Sequence, residues 1–301
     1  MTRTLSPAVT SRYAERIQAK IRVDEGDGLA AVAGAVWVKT DDGRVVRVDP
    51  GTNRVTGAVR TDTAVDPNHY CQGIGVVQGT VWACSAGDQA TDVVEVDPDT
   101  VRVTRRVGAD KVFDQLKLPV TAGSLWVLSA NGTTARRIDA ATGTVVTSRP
   151  LGARCPQVDA EDDSVVATCA TESRLLRLDP GTAAVTARVD LPEPRSAALL
   201  DGEVWVDTAE GLTRLAANLR VSAVYPRLTA GLSGELVAAE GAIWLRAGNG
   251  TITKIDPASG RALERVIPDA DLTAGSLLVA YGSLWTTSGD DGVLYRLALH
   301  P

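Results

Sequence analysis

The sequence contains very little phenylalanine or histidine, with one Phe and two His among its 301 residues. No stretch approaches the roughly 18–20 consecutive apolar residues that a membrane-spanning helix requires, and residues 1–24 lack the apolar segment of a signal peptide. Lys and Arg are scattered along the chain without a basic cluster, and the net charge is −6. Because nucleic acids and anionic membrane surfaces attract clustered cations, we expect neither nucleic-acid binding nor membrane insertion.

Motifs for several kinds of chemistry are also missing. The glycines lie in turns, and none belongs to the Gly-rich loop between a strand and a helix that cradles phosphates. A Ser-His-Asp set is not credible, because only His69 is placed to act as its base. Zinc knuckles of the Cys-x-x-Cys type do not occur. We therefore expect no resident metal and no cofactor.

What the sequence does contain is a repeated stretch built around tryptophan, such as Gly-Ala-Ile-Trp-Leu at residues 241–245. A polar turn and an alternating strand follow each copy, and an Asp-Pro turn such as Asp-Pro-Gly-Thr at residues 49–52 follows four of them. The turn recurs as Asp-Ala-Ala-Thr-Gly at residues 139–143 and is degraded to Ala-Ala-Asn at residues 216–218. Four short strands in each repeat of roughly 40–50 residues predict a β-propeller. Successive Trp positions lie 39 to 45 residues apart, with valine in the fourth copy: Trp37, Trp82, Trp126, Val166, Trp205, Trp244 and Trp285.

The two ends of the chain predict how the ring closes. The last repeat supplies three strands that end near Ala298, and residues 17–23 resemble the missing fourth strand. We predict an all-β, seven-bladed β-propeller with four-stranded antiparallel blades, in which the N-terminal strand closes the last blade. Residues 17–301 then form a single domain, and the polar residues 1–16 form a flexible leader or linker. A helix over residues 13–20 is the competing interpretation of the N-terminal segment.

The tryptophans occupy the same place in every repeat, between aliphatic neighbours. We expect them to pack between neighbouring blades. Stacking on a quinone cofactor or on a sugar is the alternative.

Two motifs carry a resemblance to a known group: Gly-x-[Val/Leu/Ile]-Trp in the second strand and [Val/Ile/Leu]-Asp-Pro-x-[Thr/Ser] after the third. On these motifs, residues 17–299 resemble seven-bladed propellers with YVTN-type, NHL-like or virginiamycin B lyase-like repeats. That group includes sensor domains, binding proteins and a lyase that pairs two histidines with a glutamate and a divalent metal. The histidines here are His69 and His300, and no Glu-x-His occurs. The resemblance therefore carries over no catalytic residue.

Four cysteines occupy two equivalent places of the repeat. Cys71 and Cys155 precede the first strands of blades two and four, and Cys84 and Cys169 follow the Trp position in the second strands. Because these strands are antiparallel neighbours, we predict the disulfides Cys71–Cys84 and Cys155–Cys169 at one rim. Free buried thiols and a metal site are the alternatives. Disulfides indicate an oxidising compartment, so we expect a secreted or cell-surface protein whose export or anchor segment is absent from this chain.

Propellers bind ligands over the mouth of the central channel, so we expect the site among the loops on the disulfide side. The longest of these loops covers residues 62–72, and long loops on a rigid scaffold often carry function. His69 is a candidate acid, base or ligand there, while Lys117, Arg154 and Arg195 are a candidate rim for an anionic ligand. Ordinary solvent-exposed side chains are the alternative for both sets. The candidate ligand-binding residues are His69, Tyr70, Gln72, Asp114, Gln115, Lys117, Arg154, Gln157, Arg195 and Glu235.

These observations favour an extracytoplasmic sensor or accessory module that binds a small molecule, glycan or protein partner over the channel mouth, as a monomer. The alternative is a divalent-metal-dependent lyase or lactonase-like hydrolase, for which Asp27, Asp114 and Glu235 are candidate metal ligands. A structural module within a larger assembly is a third interpretation. Whether the protein is an enzyme stays open, although the missing histidine–glutamate set favours a non-enzyme.

Overall fold

The computed structural model describes residues 8–62, 72–86, 92–109, 117–161, 163–226, 228, 234–272, 275–289 and 291–300. The chain enters through β1 (Val9–Arg12), a single helical turn α1 (Tyr13–Arg16) and β2 (Ile17–Arg22). The described strands then form seven sheets, which are the blades of a ring. The predicted all-β, seven-bladed propeller is confirmed.

The blades follow one another along the chain. Blade one comprises β3 (Gly26–Val32), β4 (Ala35–Thr40), β5 (Arg44–Asp49) and β6 (Arg54–Arg60). Blade two comprises β7 (Ile74–Val77), β8 (Thr80–Ser85), β9 (Asp92–Asp97) and β10 (Arg102–Gly108). Blade three comprises β11 (Val120–Thr121), β12 (Ser124–Leu128), β13 (Thr134–Asp139) and β14 (Thr144–Pro150). Blade four comprises β15 (Gln157–Glu161), β16 (Ser164–Cys169), β17 (Arg174–Leu178) and β18 (Val185–Asp190). Blade five comprises β19 (Ser196–Leu200), β20 (Glu203–Thr208), β21 (Gly211–Leu215) and β22 (Val221–Tyr225). Blade six comprises β23 (Gly234–Ala239), β24 (Ala242–Ala247), β25 (Ile252–Asp256) and β26 (Arg261–Ile267). Blade seven contains β27 (Leu277–Ala280), β28 (Ser283–Ser288) and β29 (Val293–Ala298).

Within each blade, consecutive strands pair antiparallel from the first to the last. The first strands of neighbouring blades contact one another, as β15 contacts β19 and β19 contacts β23. The first strands therefore surround the central channel, and the fourth strands form the outer edge of the ring.

The N-terminal strand closes the ring as predicted. β2 pairs antiparallel with β29, from Ile17 opposite Leu297 to Arg22 opposite Val293, and becomes the outer strand of blade seven. The first and last parts of the chain are thus held together by backbone hydrogen bonds, which removes an exposed sheet edge.

The residues before β2 differ from the predicted flexible leader. β1 pairs in parallel with β26 and adds a fifth strand to the outer edge of blade six. Tyr13 in α1 is 1% exposed, and its hydroxyl donates a 2.6 Å hydrogen bond to the carbonyl of Gly250. The buried Arg16 pairs with Glu264 at 3.1 Å. The prediction is therefore wrong for residues 9–16, because buried side chains fix this segment across blades six and seven. Residues 1–7 lie outside the described residues.

The repeated tryptophans lie in the core between blades, as predicted. All six are fully buried, as is Val166 in the fourth blade. Glu95 lies opposite the Trp position in the third strand of blade two. In the other six blades, this position of the third strand carries a cation: Arg47, Arg137, Arg177, Arg214, Lys254 and Arg296. The charged groups of Arg214, Lys254 and Arg296 lie 5.0 to 5.5 Å from the centres of the Trp rings, within cation–π range.

Several of these cations also fasten one blade to the next. Arg137 donates two 2.7 Å hydrogen bonds to the carbonyls of Pro180 and Gly181, in the Asp-Pro turn of the following blade. In blade two, where Glu95 replaces the cation, Arg105 pairs with Glu95 at 3.4 Å and donates to the carbonyl of Ala140 in the next turn. The Asp-Pro turns therefore serve as acceptors between blades as well as connections within them.

The disulfide prediction is confirmed where the structure describes it. Cys155 and Cys169 form a disulfide that joins the segment before β15 to the end of β16. Cys84 is also disulfide-bonded, and its predicted partner Cys71 lies outside the described residues.

Candidate functional site

An open cavity of about 490 Å³ occupies the mouth of the channel. It lies where the chain leads into the first strands, on the rim that carries the Cys155–Cys169 disulfide. Glycines 234, 248 and 275 leave bare backbone in its wall, while blades one, two, four, five and six supply its polar lining. Those lining side chains are Asp27, Gln72, Gln157, Arg195, Glu235 and Arg246.

A contact that we call the strut crosses the channel beside this cavity. Lys117 lies just before β11 of blade three, and its ammonium group donates a 2.7 Å hydrogen bond to the carbonyl of Leu236 in blade six. The same group lies 3.3 Å from Glu235 Oε1. The contact passes over blades four and five, so it bridges the channel between distant parts of the ring.

A second, much smaller chamber lies beside this strut. Its volume is about 20 Å³, and Lys117, Asp159, Ser196 and Glu235 are among its lining residues. That volume accommodates about one water molecule. The small chamber and the mouth cavity share Gln157 and Glu235, so the strut lies next to the mouth cavity.

The charges of the strut are strongly coupled. Burial raises the pKa of Asp159 from 3.8 to about 6, although the Lys117 ammonium nearby opposes this change. Burial also disfavours the charged form of Lys117, but the nearby carboxylates of Glu235 and Asp159 outweigh it and raise the pKa of the ammonium. Lys117 therefore stays cationic, while Asp159 takes up a proton near pH 6.

Donors from the protein hold the acidic groups of the mouth in place. Glu235 is 7% exposed in its side chain, and its Oε2 accepts hydrogen bonds from Ser276 Oγ at 2.9 Å and from the Leu277 amide at 2.6 Å. The side-chain amide of Gln72 donates to Asp27 and, at 3.1 Å, to Asp41. Burial raises the pKa of Asp41, while the hydrogen bond from Gln72 opposes this change.

Arg246 is a buried cation in the wall of the mouth. It lies two residues after Trp244 in β24 and is 3% exposed. Its guanidinium donates to Thr286 Oγ1 at 2.8 Å and to the carbonyl of Thr287 at 3.0 Å. These contacts fix the guanidinium between blades six and seven, with its positive charge beside the cavity.

Arg195 and Gln157 are less constrained than the other polar residues of the mouth. The Arg195 guanidinium contacts Glu193 at 3.3 Å, and the Glu193 side chain is 62% exposed. The backbone of Arg195 is fixed, since its amide donates to the carbonyl of Asp207 at 2.8 Å. Within the described residues, the side-chain amide of Gln157 makes no hydrogen bond, and it borders both the mouth and the small chamber.

The structure brings together part of the predicted set. The mouth cavity is lined by Gln72, Gln157, Arg195 and Glu235, and Lys117 lines the small chamber beside it. Arg154 is exposed and does not line the cavity, whereas Arg246, which was not predicted, is a cation of its lining. The four other predicted residues lie outside the described residues: His69, Tyr70, Asp114 and Gln115.

Two residues of the site were missed by sequence reasoning. Arg246 interrupts the otherwise apolar second strand of blade six, and Asp159 stands within the first strand of blade four. A charged residue in a strand whose counterparts are mostly apolar or small is the feature that distinguishes both positions. The described residues contain no group of three or more His, Cys, Asp or Glu side chains placed to hold a metal. None of the described helical structure is long enough to cross a membrane.

No protein-family model matches this chain, and no curated protein matches it. Among solved structures, the WD40 domain of Pan2 from Neurospora crassa has a TM-score of 0.72 at 11% identity, covering 92% of this chain and 90% of that one. BamB from Moraxella catarrhalis has a TM-score of 0.63 at 12% identity, with 94% and 99% covered. The computationally designed Ika8 protein has a TM-score of 0.62 at 14% identity, with 98% and 100% covered. At identities of 11 to 14%, these similarities show a shared propeller fold.

Proposed function

We propose that this protein is an extracytoplasmic binding module, with a sensor or accessory role, that holds a small polar ligand in the channel mouth without transforming it. The observation that carries this proposal is the cavity of about 490 Å³ with its mixed polar lining. Small-molecule sites in proteins typically measure roughly 300–1,000 Å³ and carry a few fixed polar groups in a concave wall. The mouth has this size and this composition.

The way in which the lining is held favours binding over metal-assisted catalysis. Glu235 accepts from Ser276 and Leu277 and faces Lys117, and Asp27 accepts from Gln72. A divalent cation requires several oxygen ligands to converge on it, whereas Glu235 Oε2 and Asp27 Oδ2 already accept hydrogen bonds from protein donors. Such prior fixation suits recognition, because few side chains must be ordered when a ligand enters.

The proposed location follows from the cysteines. Cys155–Cys169 is a disulfide and Cys84 is disulfide-bonded, and disulfides persist in oxidising compartments. The measurement is acid-quenched alkylation of the protein in its native cells, followed by mass spectrometry. We expect bonded cysteines, and alkylation of all four would contradict the extracytoplasmic assignment.

A pair of matched substitutions tests the proposed site. Ala170→Trp places a large ring in the mouth from its rim, whereas Ala184→Trp makes the same change on the exposed outer side of blade four. Ligand-observed NMR with sugars, sugar acids and amino acids measures binding to the wild type and to both variants. We expect at least one compound to bind the wild type and Ala184→Trp, with affinity about tenfold or more weaker for Ala170→Trp, because the ring occupies the cavity.

Three outcomes contradict the proposal. The first is that no compound of these classes binds the wild type. The second is that Ala170→Trp binds as tightly as Ala184→Trp, which places the ligand elsewhere. The third is the accumulation of a product during the NMR measurement, which identifies an enzyme.

A further inference from the structure

The polar groups of the mouth differ in how much hydrogen-bonding capacity remains for a ligand. One oxygen of each acidic side chain accepts from protein donors: Glu235 Oε2 accepts from Ser276 and Leu277, and Asp27 Oδ2 accepts from the amide of Gln72. Glu235 Oε1 lies 3.3 Å from the Lys117 ammonium. A ligand ammonium group competes with these donors and with Lys117 for the two carboxylates.

Two hydrogen-bond donors of the mouth, Arg195 and Gln157, keep capacity for a ligand. Arg195 carries five N–H donors on a planar guanidinium, and within the described residues its guanidinium has a single hydrogen bond, to Glu193. Glu193 is 62% exposed in its side chain, and exposed ion pairs of this kind contribute little because water screens them. A ligand therefore displaces this contact at small cost.

Two further groups make the surroundings of Arg195 favourable to an anion. Gln157 offers an amide that is without a partner in the described part of the chain. Arg246 contributes a positive charge that is buried and held by Thr286 and Thr287. A charge held away from bulk water acts more strongly on a ligand than one on an open surface.

We propose that the mouth recognises a ligand through its carboxylate, which the Arg195 guanidinium binds as a fork and the Gln157 amide supports. The inference rests on the proposed binding function of this cavity. A single negative charge fits better than the double charge of a phosphate monoester, since Asp27 and Glu235 line the same cavity and repel additional charge. Guanidinium and carboxylate match in shape, forming two parallel hydrogen bonds.

Three sugars that differ only at one carbon test the charge requirement: D-glucuronate, D-glucose and D-glucose 6-phosphate. Isothermal titration at neutral pH and low salt measures each of them against the wild type. We expect glucuronate to bind more tightly than the other two. Arg195→Ala should weaken glucuronate binding by about 10- to 100-fold, the usual effect of losing hydrogen bonds to a charged group.

Two more variants separate the role of Arg195 from a general change of charge. Arg188→Ala removes an arginine from the exposed outer strand of blade four, where its guanidinium has no polar partner within the described residues, and glucuronate binding should be unchanged. Glu193→Gln removes the competing carboxylate from Arg195. We expect it to strengthen glucuronate binding by a few-fold, an effect that a purely structural role of Arg195 does not produce.

The outcomes distinguish this inference from the proposed function. If all three sugars bind equally and Ala170→Trp weakens them together, the mouth is a binding site but the carboxylate inference is wrong. Equal losses in Arg195→Ala and Arg188→Ala overturn it as well. Failure of glucuronate, and of the smaller carboxylates acetate and succinate, to bind the wild type at their highest soluble concentrations also overturns it. The proposed function then depends on the neutral compounds alone.

Discussion

Replacing Lys117 by methionine should destabilise the whole ring, although this residue lies in a segment before a two-residue strand. The methionine keeps most of the length of the side chain and removes the ammonium group. That group donates to the Leu236 carbonyl at 2.7 Å and lies 3.3 Å from Glu235 Oε1. The substitution therefore leaves the Glu235 carboxylate, which is 7% exposed, without its counter-charge.

The magnitude follows from what remains around Glu235. Removing one partner of a fully buried ion pair typically costs about 3–5 kcal/mol. Two features reduce this value: the Lys117 side chain is 32% exposed, and Glu235 keeps its hydrogen bonds from Ser276 and Leu277. We therefore expect the free energy of unfolding to fall by roughly 1–2 kcal/mol, since hydrogen bonds that involve charged groups contribute about 1.5–3 kcal/mol and water replaces part of this one.

Differential scanning calorimetry measures this effect as a lower melting temperature. Lys20→Met is the matched control, because Lys20 is exposed on β2 above the ring of Tyr295, and exposed substitutions usually stay within about 0.5 kcal/mol. Glu235→Gln and the double variant complete a double-mutant cycle. We expect the summed losses of stability in the two single variants to exceed the loss in the double variant. Equal melting temperatures for Lys117→Met and Lys20→Met would refute the strut as a source of stability.

Three other predictions concern the same scaffold. The pKa of Asp159 is about 6 in the folded protein against 3.8 when unfolded, so the native state binds the extra proton. The stability that this group contributes is present below pH 4 and is lost as the pH rises to about 6. Asp159→Asn should remove this loss, making the variant more stable than the wild type at pH 7 by at most about 3 kcal/mol in chemical denaturation. Joint replacement of Cys155 and Cys169 by serine opens a link of sequence separation 14 and should cost about 3 kcal/mol relative to the oxidised wild type. When both proteins are reduced, this difference should disappear. Tyr13→Phe removes the hydroxyl that donates to Gly250 and should cost about 1 kcal/mol in the same assay, whereas no change would mean that α1 does not secure the N-terminal segment.

The fold was predictable because seven copies of one strand pattern each predict a blade. Most copies give the same order of turn, Trp strand and Asp-Pro turn, so a copy that departs from the pattern is still placed by the others. Val166 illustrates this point, since its position was assigned by spacing alone and it is buried like the tryptophans. The register of the repeat also placed Cys155 opposite Cys169, which are bonded.

The N-terminal segment and the strut were not predictable in the same way, because each occurs once. Residues 9–16 contain Ser and Thr and resemble a linker in composition, yet Tyr13 and Arg16 are buried against blades six and seven. The contact between Lys117 and Glu235 joins residues that are 118 positions apart in sequence and three blades apart in the ring. Repeat register gives the neighbours within a blade, but it gives no distance across the channel.

The site residues follow from the same distinction. Residues that recur in most blades, such as the tryptophans and the cations opposite them, are occupied by contacts between blades. The mouth is defined by residues that differ between blades: Arg246 in a mostly apolar strand, and Arg195 and Gln157 at the entry to first strands. Among these, only groups whose hydrogen-bonding capacity is not consumed by the scaffold are available to a ligand. Arg195 and Gln157 meet this condition, whereas Glu235 and Lys117 satisfy each other. A ligand that reaches Arg195 has to order the side chains of Arg195 and Gln157, whereas Glu235 and Arg246 are already held by protein contacts. Its affinity should therefore depend mainly on the group that it presents to the guanidinium.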